Sequence, residues 1–111
     1  MGLTKRADGV IFADVELERN FNSLSEEDWL KKALRKAIVD LKENIFTGEN
    51  IRKKLIPKHY KKKYNIDNLW WYPLPNGWRL IYSVITPNNR EILALILEYF
   101  NHTNYERRFG Y

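Results

Sequence analysis

Arg79, His102 and Tyr105 are the side chains in this sequence whose types fit phosphodiester chemistry. Arginine presents a rigid fork of N–H donors that matches the oxygens of a phosphate. Histidine, with an unperturbed pKa of about 6.5, can take up or give a proton at neutral pH. Arg79 stands inside the run Trp78-Arg79-Leu80-Ile81-Tyr82, where burying a charge without a partner is costly. Two uses fit it equally: a phosphate ligand in a groove, or a structural salt bridge to Glu98. His102 and Tyr105 are three residues apart, so a helix would place them on one face. His102 is then either an acid–base group or simply an exposed residue of the tail. Arg107 and Arg108 beside it suit contacts to a nucleic-acid backbone. Tyr105 and Phe109 either stack bases or cover the sheet.

The charge distribution points the same way. Residues 1–50 carry 8 Lys/Arg against 10 Asp/Glu, whereas residues 51–111 carry 11 against 4. A half with an excess of +7 attracts polyanions, or serves solubility alone. Its densest stretch is 52–63, RKKLIPKHYKKK, with seven basic residues in twelve; Lys58, Lys61, Lys62 and Lys63 are its candidates for a nucleic-acid backbone. Trp70, Trp71, Tyr72, Trp78 and Tyr82 follow. Aromatics beside cations are the usual means of gripping unstacked RNA bases, and Trp71 is the candidate here. Strand alternation turns about half of these rings inward, to the core.

Several classes of chemistry lack their residues. There are no cysteines, so thiolate metal sites, disulfides and cysteine nucleophiles are excluded. The two histidines lie 43 positions apart, and there is no glycine-rich phosphate loop and no nucleophile elbow. The sequence therefore predicts no metal and no small-molecule cofactor. Met1 to Arg6 has no apolar stretch behind its charges, and Arg6 stands where an N-myristoylation signal on Gly2 would need Ser or Thr. The apolar run Ile92 to Leu97 is too short to span a bilayer. Asn101-His102-Thr103 matches a glycosylation sequon, which without a secretory route is a chance match. A soluble, cytoplasmic protein with no membrane partner is expected.

The elements that must position these residues read as one α+β domain over 1–111. Val10 to Leu17 is a strand with imperfect alternation. Ser25 is placed to cap a long helix, with Asp28 at the capping-box position and Leu24 and Trp29 spaced as a hydrophobic staple. Leu30, Leu34, Ala37, Ile38, Leu41 and Ile45 form its apolar face, and Gly48 supplies a stop. Pro57 suits the first turn of a short basic helix, Lys58 to Tyr64. Leu69 to Leu74 is a strand whose Pro73 requires an edge or a bulge. Asn76-Gly77 is a hairpin turn, Trp78 to Thr86 the second strand, and Glu91 to Tyr99 the third, with a short helix possible from Thr103. The predicted sheet is small and antiparallel: the N-terminal strand plus a C-terminal three-stranded meander, packed against the long helix and the short basic one.

The order of these elements, the strand Gly77-Trp78-Arg79-Leu80-Ile81-Tyr82 and the ending His102-Thr103-Asn104-Tyr105-Glu106-Arg107-Arg108-Phe109-Gly110-Tyr111 resemble the RelE/ParE superfamily of type II toxins, in its RelE-like branch. The resemblance runs from about Ile11 to Tyr111. It implies a toxin that cuts mRNA on the ribosome without a metal and is neutralised by a cognate antitoxin protein; the ParE-like alternative inhibits DNA gyrase, and a third is a non-catalytic RNA- or partner-binding domain. Carried over by position, Arg79 supports the scissile phosphate, and His102 and Tyr105 fall where acid–base groups lie. Well-studied RelE-type members carry lysines on the strand before the hairpin. This chain has Trp70, Trp71, Tyr72 and Pro73 there, which fits a histidine-based mechanism better.

Overall fold

The computed structural model describes residues 4–109. Gly2 and the final Gly110-Tyr111 of the ending lie outside the described residues. In chain order the elements are β1 (Gly9–Phe12), α1 (Val15–Ser23), α2 (Trp29–Glu43), β2 (Glu49–Ile51), α3 (Lys58–Tyr64), β3 (Leu69–Pro73), β4 (Arg79–Ile85), β5 (Leu93–Phe100) and α4 (His102–Phe109). The fold is α+β, with four helices and a five-stranded sheet. No helix among the described residues is long and apolar enough to cross a membrane.

The N-terminal strand is half the expected length. Asp14 ends it, because its carboxylate accepts the Leu17 N–H at 2.8 Å and caps α1. The imperfect alternation of Val10 to Leu17 marks that change of period. The cap of α2 also differs from the expected Ser25. Asp28 Oδ1 accepts from Leu30 N–H at 2.9 Å, while Ser25 Oγ serves Glu27 N–H in the turn before it. Trp29 is thus the first helical residue, and it meets Trp78 edge-on at 5.9 Å instead of acting as a staple. Leu30, Leu34, Ala37 and Leu41 are buried as the spacing requires. The helix stops at Asn44, whose side chain accepts the N–H groups of Phe46 and Lys5, four residues before Gly48.

Gly48 has another use. A Cβ there would lie 2.5 Å from the Trp71 carbonyl oxygen and 2.8 Å from the Tyr82 hydroxyl. That hydroxyl donates to Ile45 O at 2.8 Å and accepts from Gly48 N–H at 3.1 Å. The close approach lets the chain enter β2, a three-residue edge strand too short to show a period in the sequence.

The sheet order is β1-β5-β4-β3-β2, with β1 parallel to β5 and the other pairs antiparallel. The sheet is therefore mixed, not purely antiparallel. No hairpin ties β1 to its neighbour; the chain passes through every other strand first, and so arrives in either direction without a turn to dictate it. The C-terminal meander is as expected. Asn76 and Gly77 both take positive φ (61° and 76°) in the hairpin, and Pro73 extends past the end of β2, where no strand claims its missing N–H.

Alternation divides the core between the two faces. Trp70, Tyr72, Leu80, Tyr82, Ala94 and Ile96 pack towards α2, while Leu69, Trp71, Ile81 and Leu97 pack towards α3 and α4. A bulge interrupts β5: Ile81 is opposite Glu98 but Tyr82 is opposite Ile96, leaving Leu97 as the extra residue. It turns Glu98 to the α3/α4 side.

Two stability results follow from the α2 side. Lys31, buried on α2, donates to the carbonyls of Phe21 at 2.8 Å and of Asn22 and Leu24 at 3.4 Å, so its ammonium closes the C-terminal end of α1. Lys31→Met strands these acceptors and is expected to cost about 2 kcal/mol, or about 10 °C in Tm by circular dichroism. Burial also pushes the Tyr82 hydroxyl up to about 12. Between pH 10 and 12 the unfolded chain loses this proton and the folded one keeps it. Tyr82's share of the stability is then complete below pH 10 and falls by about 2–3 kcal/mol as pH rises to 12; Tyr82→Phe removes that share of the alkaline loss and leaves the one from Tyr60. Urea titrations at several alkaline pH values measure it.

Candidate functional site

Arg79 opens β4 immediately after the hairpin. Its direct neighbours are Pro73 on β3 and Phe100 on β5, neither of which can pair with a charge. By alternation it faces the α3/α4 side, and the guanidinium lies between two rings. Its carbon is 3.9 Å from the Trp71 ring centre and 4.1 Å from that of Tyr105. Contacts of this kind contribute about 0.5–2 kcal/mol and fix the plane of the fork. Among the described residues, Arg79 makes no hydrogen bond and no ion pair.

Glu98, the structural partner considered for Arg79, is occupied elsewhere. It accepts from Arg108 Nε at 2.8 Å and from the Tyr60 hydroxyl at 2.5 Å. Tyr60 is fully buried; burial, and then the bond to Glu98, hold its hydroxyl far above the ordinary tyrosine range, so it remains a donor. Arg108 also lies over the Phe100 ring at 4.6 Å. The bulge explains the choice. Glu98 stands opposite Ile81, one same-face pair away from Arg79, and directly under α3 and α4.

α4 starts where Asn101 Oδ1 accepts the Asn104 N–H and its carbonyl accepts the Tyr105 N–H. His102 is exposed on the first turn, beside the hairpin: a Cβ on Gly77 would sit 3.6 Å from His102 Cβ. Its Nε2 is 2.8 Å from Glu106 Oε1. This contact ties the imidazole to the next turn of α4 and leaves Nδ1 without a partner among the described residues. Tyr105 is buried, its ring parallel to Phe109 at 4.5 Å. It contributes a wall to the arginine seat from inside the core.

The lysines Lys58, Lys61, Lys62 and Lys63 are all exposed on α3, which is anchored through Tyr60, and Arg107 is exposed on α4. Together with Arg52, Lys53 and Lys54 they border the sheet face that carries Arg79. The structure thus brings Arg79, Trp71 and Tyr105 into contact, sets His102 at the adjacent hairpin, commits Arg108 to Glu98, and spreads the lysines along the rim.

A cleft of about 260 Å³ opens next to this cluster, lined by Asn50, Ile51, Arg52, Leu55, Trp71, Tyr105 and Phe109. Of these, Trp71 and Tyr105 are expected from the sequence as site residues, and Phe109 as either a base-stacking or a sheet-covering ring. Asn50, Arg52 and Leu55 come from β2 and the turn after it, and the basic run at 52–54 was their one visible signal. No protein-family model matches the chain, and no curated protein and no solved structure matches it significantly.

Proposed function

We propose that the chain is a RelE-like toxin of a type II toxin–antitoxin system, cutting mRNA on the ribosome without a metal. The observation that carries this reading is the Arg79 guanidinium, held flat between Trp71 and Tyr105 with its donors unclaimed among the described residues. A fork held in that way, on a face rimmed by cations, suits a phosphate whose charge grows in a transition state.

The reaction joins the 2′-oxygen to the adjacent phosphorus and breaks the bond to the 5′-oxygen, leaving a cyclic phosphate and a 5′-hydroxyl. Arg79 stabilises the phosphorane oxygens. His102, oriented by Glu106, accepts the 2′-hydroxyl proton at Nδ1, and solvent supplies the proton for the leaving oxygen. Tyr105, being buried, positions Arg79. Ribosomal RNA meets the lysines of α3, and an acidic antitoxin segment competes for the same cations.

The test is a defined mRNA on purified ribosomes, read by primer extension. A stop within the decoding codon, present only with ribosomes, is the expected result; intact mRNA overturns it. One observation favours a second reading, a non-catalytic RNA-binding domain: β3 carries no lysine and Tyr105 is buried, so of the sequence-expected proton carriers on α4 only His102 is exposed. RNA bound but uncut selects that reading.

A further inference from the structure

The cleft beside Arg79 has a shape and lining that the cleavage reaction does not use. One wall is continuous aromatic surface, with Trp71 and Tyr105, which also clasp Arg79, extended by Phe109 in parallel contact with Tyr105. Leu55, about half exposed on the turn after β2, also lines the cleft. Asn50 lines it too and donates its amide N–H to Leu69 O at 3.4 Å. Arg52 stands exposed on the rim. The volume of about 260 Å³ falls just under the range for drug-sized ligands, and suits one flat ring system.

We infer that this cleft receives one unpaired base of single-stranded RNA, the base next to the phosphate held at Arg79; the inference rests on the RNA reading above and names its base-binding subsite. Flat apolar walls favour a π-face, which an acidic peptide lacks. The adjacent cations match the phosphates on either side of that base. A peptide carboxylate could satisfy Arg79 and Arg52 but would leave the rings without a partner.

The experiment is an abasic scan with the full chain. Labelled RNA hexamers, each lacking one base, are titrated by fluorescence anisotropy. Loss of the base at one position is expected to weaken binding about tenfold, with the other positions nearly silent. Leu55→Trp, which fills the cleft from an exposed position, should weaken the intact hexamer to a similar degree and erase that positional penalty. Binding that is equal for every abasic hexamer overturns the base subsite and leaves RNA recognition standing. A penalty that survives Leu55→Trp overturns it too, by placing the base elsewhere. So does a hexaglutamate peptide that displaces the RNA and itself depends on an unfilled cleft. Failure to bind any hexamer overturns the inference, and the ribosome assay then decides the larger reading independently.

Discussion

Arg79→Ala is expected to lower ribosome-dependent mRNA cleavage by about 10²–10³-fold, the usual loss when one preorganised donor to a developing anion is removed. The side chain is flanked by Pro73 and Phe100 along the sheet and by Trp71 and Tyr105 in front, and among the described residues none of these takes its N–H groups. Its contribution to folding is accordingly small. Two ring contacts are lost and a half-buried unpaired charge is relieved, so Tm should move by only a few degrees. Arg79→Lys keeps the charge but not the planar fork, and should recover only part of the activity. Single-turnover rates on programmed ribosomes, beside thermal melts of the same proteins, make the comparison. Full activity in Arg79→Ala would remove the arginine from the site; a collapse of Tm would mean that its role is structural.

The second large effect belongs to Gly48→Ala, which should destabilise the fold by about 3 kcal/mol or more. The added methyl group would meet a backbone oxygen, that of Trp71, at 2.5 Å, and backbone in a paired strand has little room to yield. It would also press on the Tyr82 ring and hydroxyl, at 2.9 and 2.8 Å, disturbing a group that bonds both Ile45 and Gly48. Chemical denaturation measures the loss, and Thr47→Ala, an exposed neighbour, serves as the control that should stay within about 0.5 kcal/mol. Equal midpoints for the two variants would contradict the packing argument.

Much of the architecture was legible because it rests on local signals. The apolar spacing of α2, the Asn76-Gly77 turn and the alternation that separates Arg79 from Leu80 and Tyr82 are written in neighbouring residues. What was not legible turns on competition between neighbouring caps and on partners distant in sequence. Asp14 converts half of an apparent strand into α1 through a single capping bond. Asp28 prevails over Ser25 as the cap of α2, and both residues look equally suited on paper. The direction of β1 depends on how a long intervening chain returns. Glu98 was within plausible reach of Arg79 until a bulge and the arrival of Arg108 and Tyr60 decided otherwise. Of the candidate site, the arginine and its stacking rings could be read from residue types; the cleft, assembled from β2, β3, α4 and a turn, could not.

The bulge at Leu97 acts as a change of phase. Before it, the even-numbered residues Ala94 and Ile96 belong to the α2 layer; after it the parity reverses, with Tyr99 in that layer and Phe100 in the other. Everything downstream inherits the inverted count. Asn101 begins α4 from the face that carries Arg79 because one residue too many was admitted four positions earlier. In a strand without that extra residue, the C-terminal helix would emerge over α2, and Tyr105 would face the wrong side of the sheet. The position of the tail is thus set by counting, and a one-residue deletion in β5 is a change of topology more than a shortened strand.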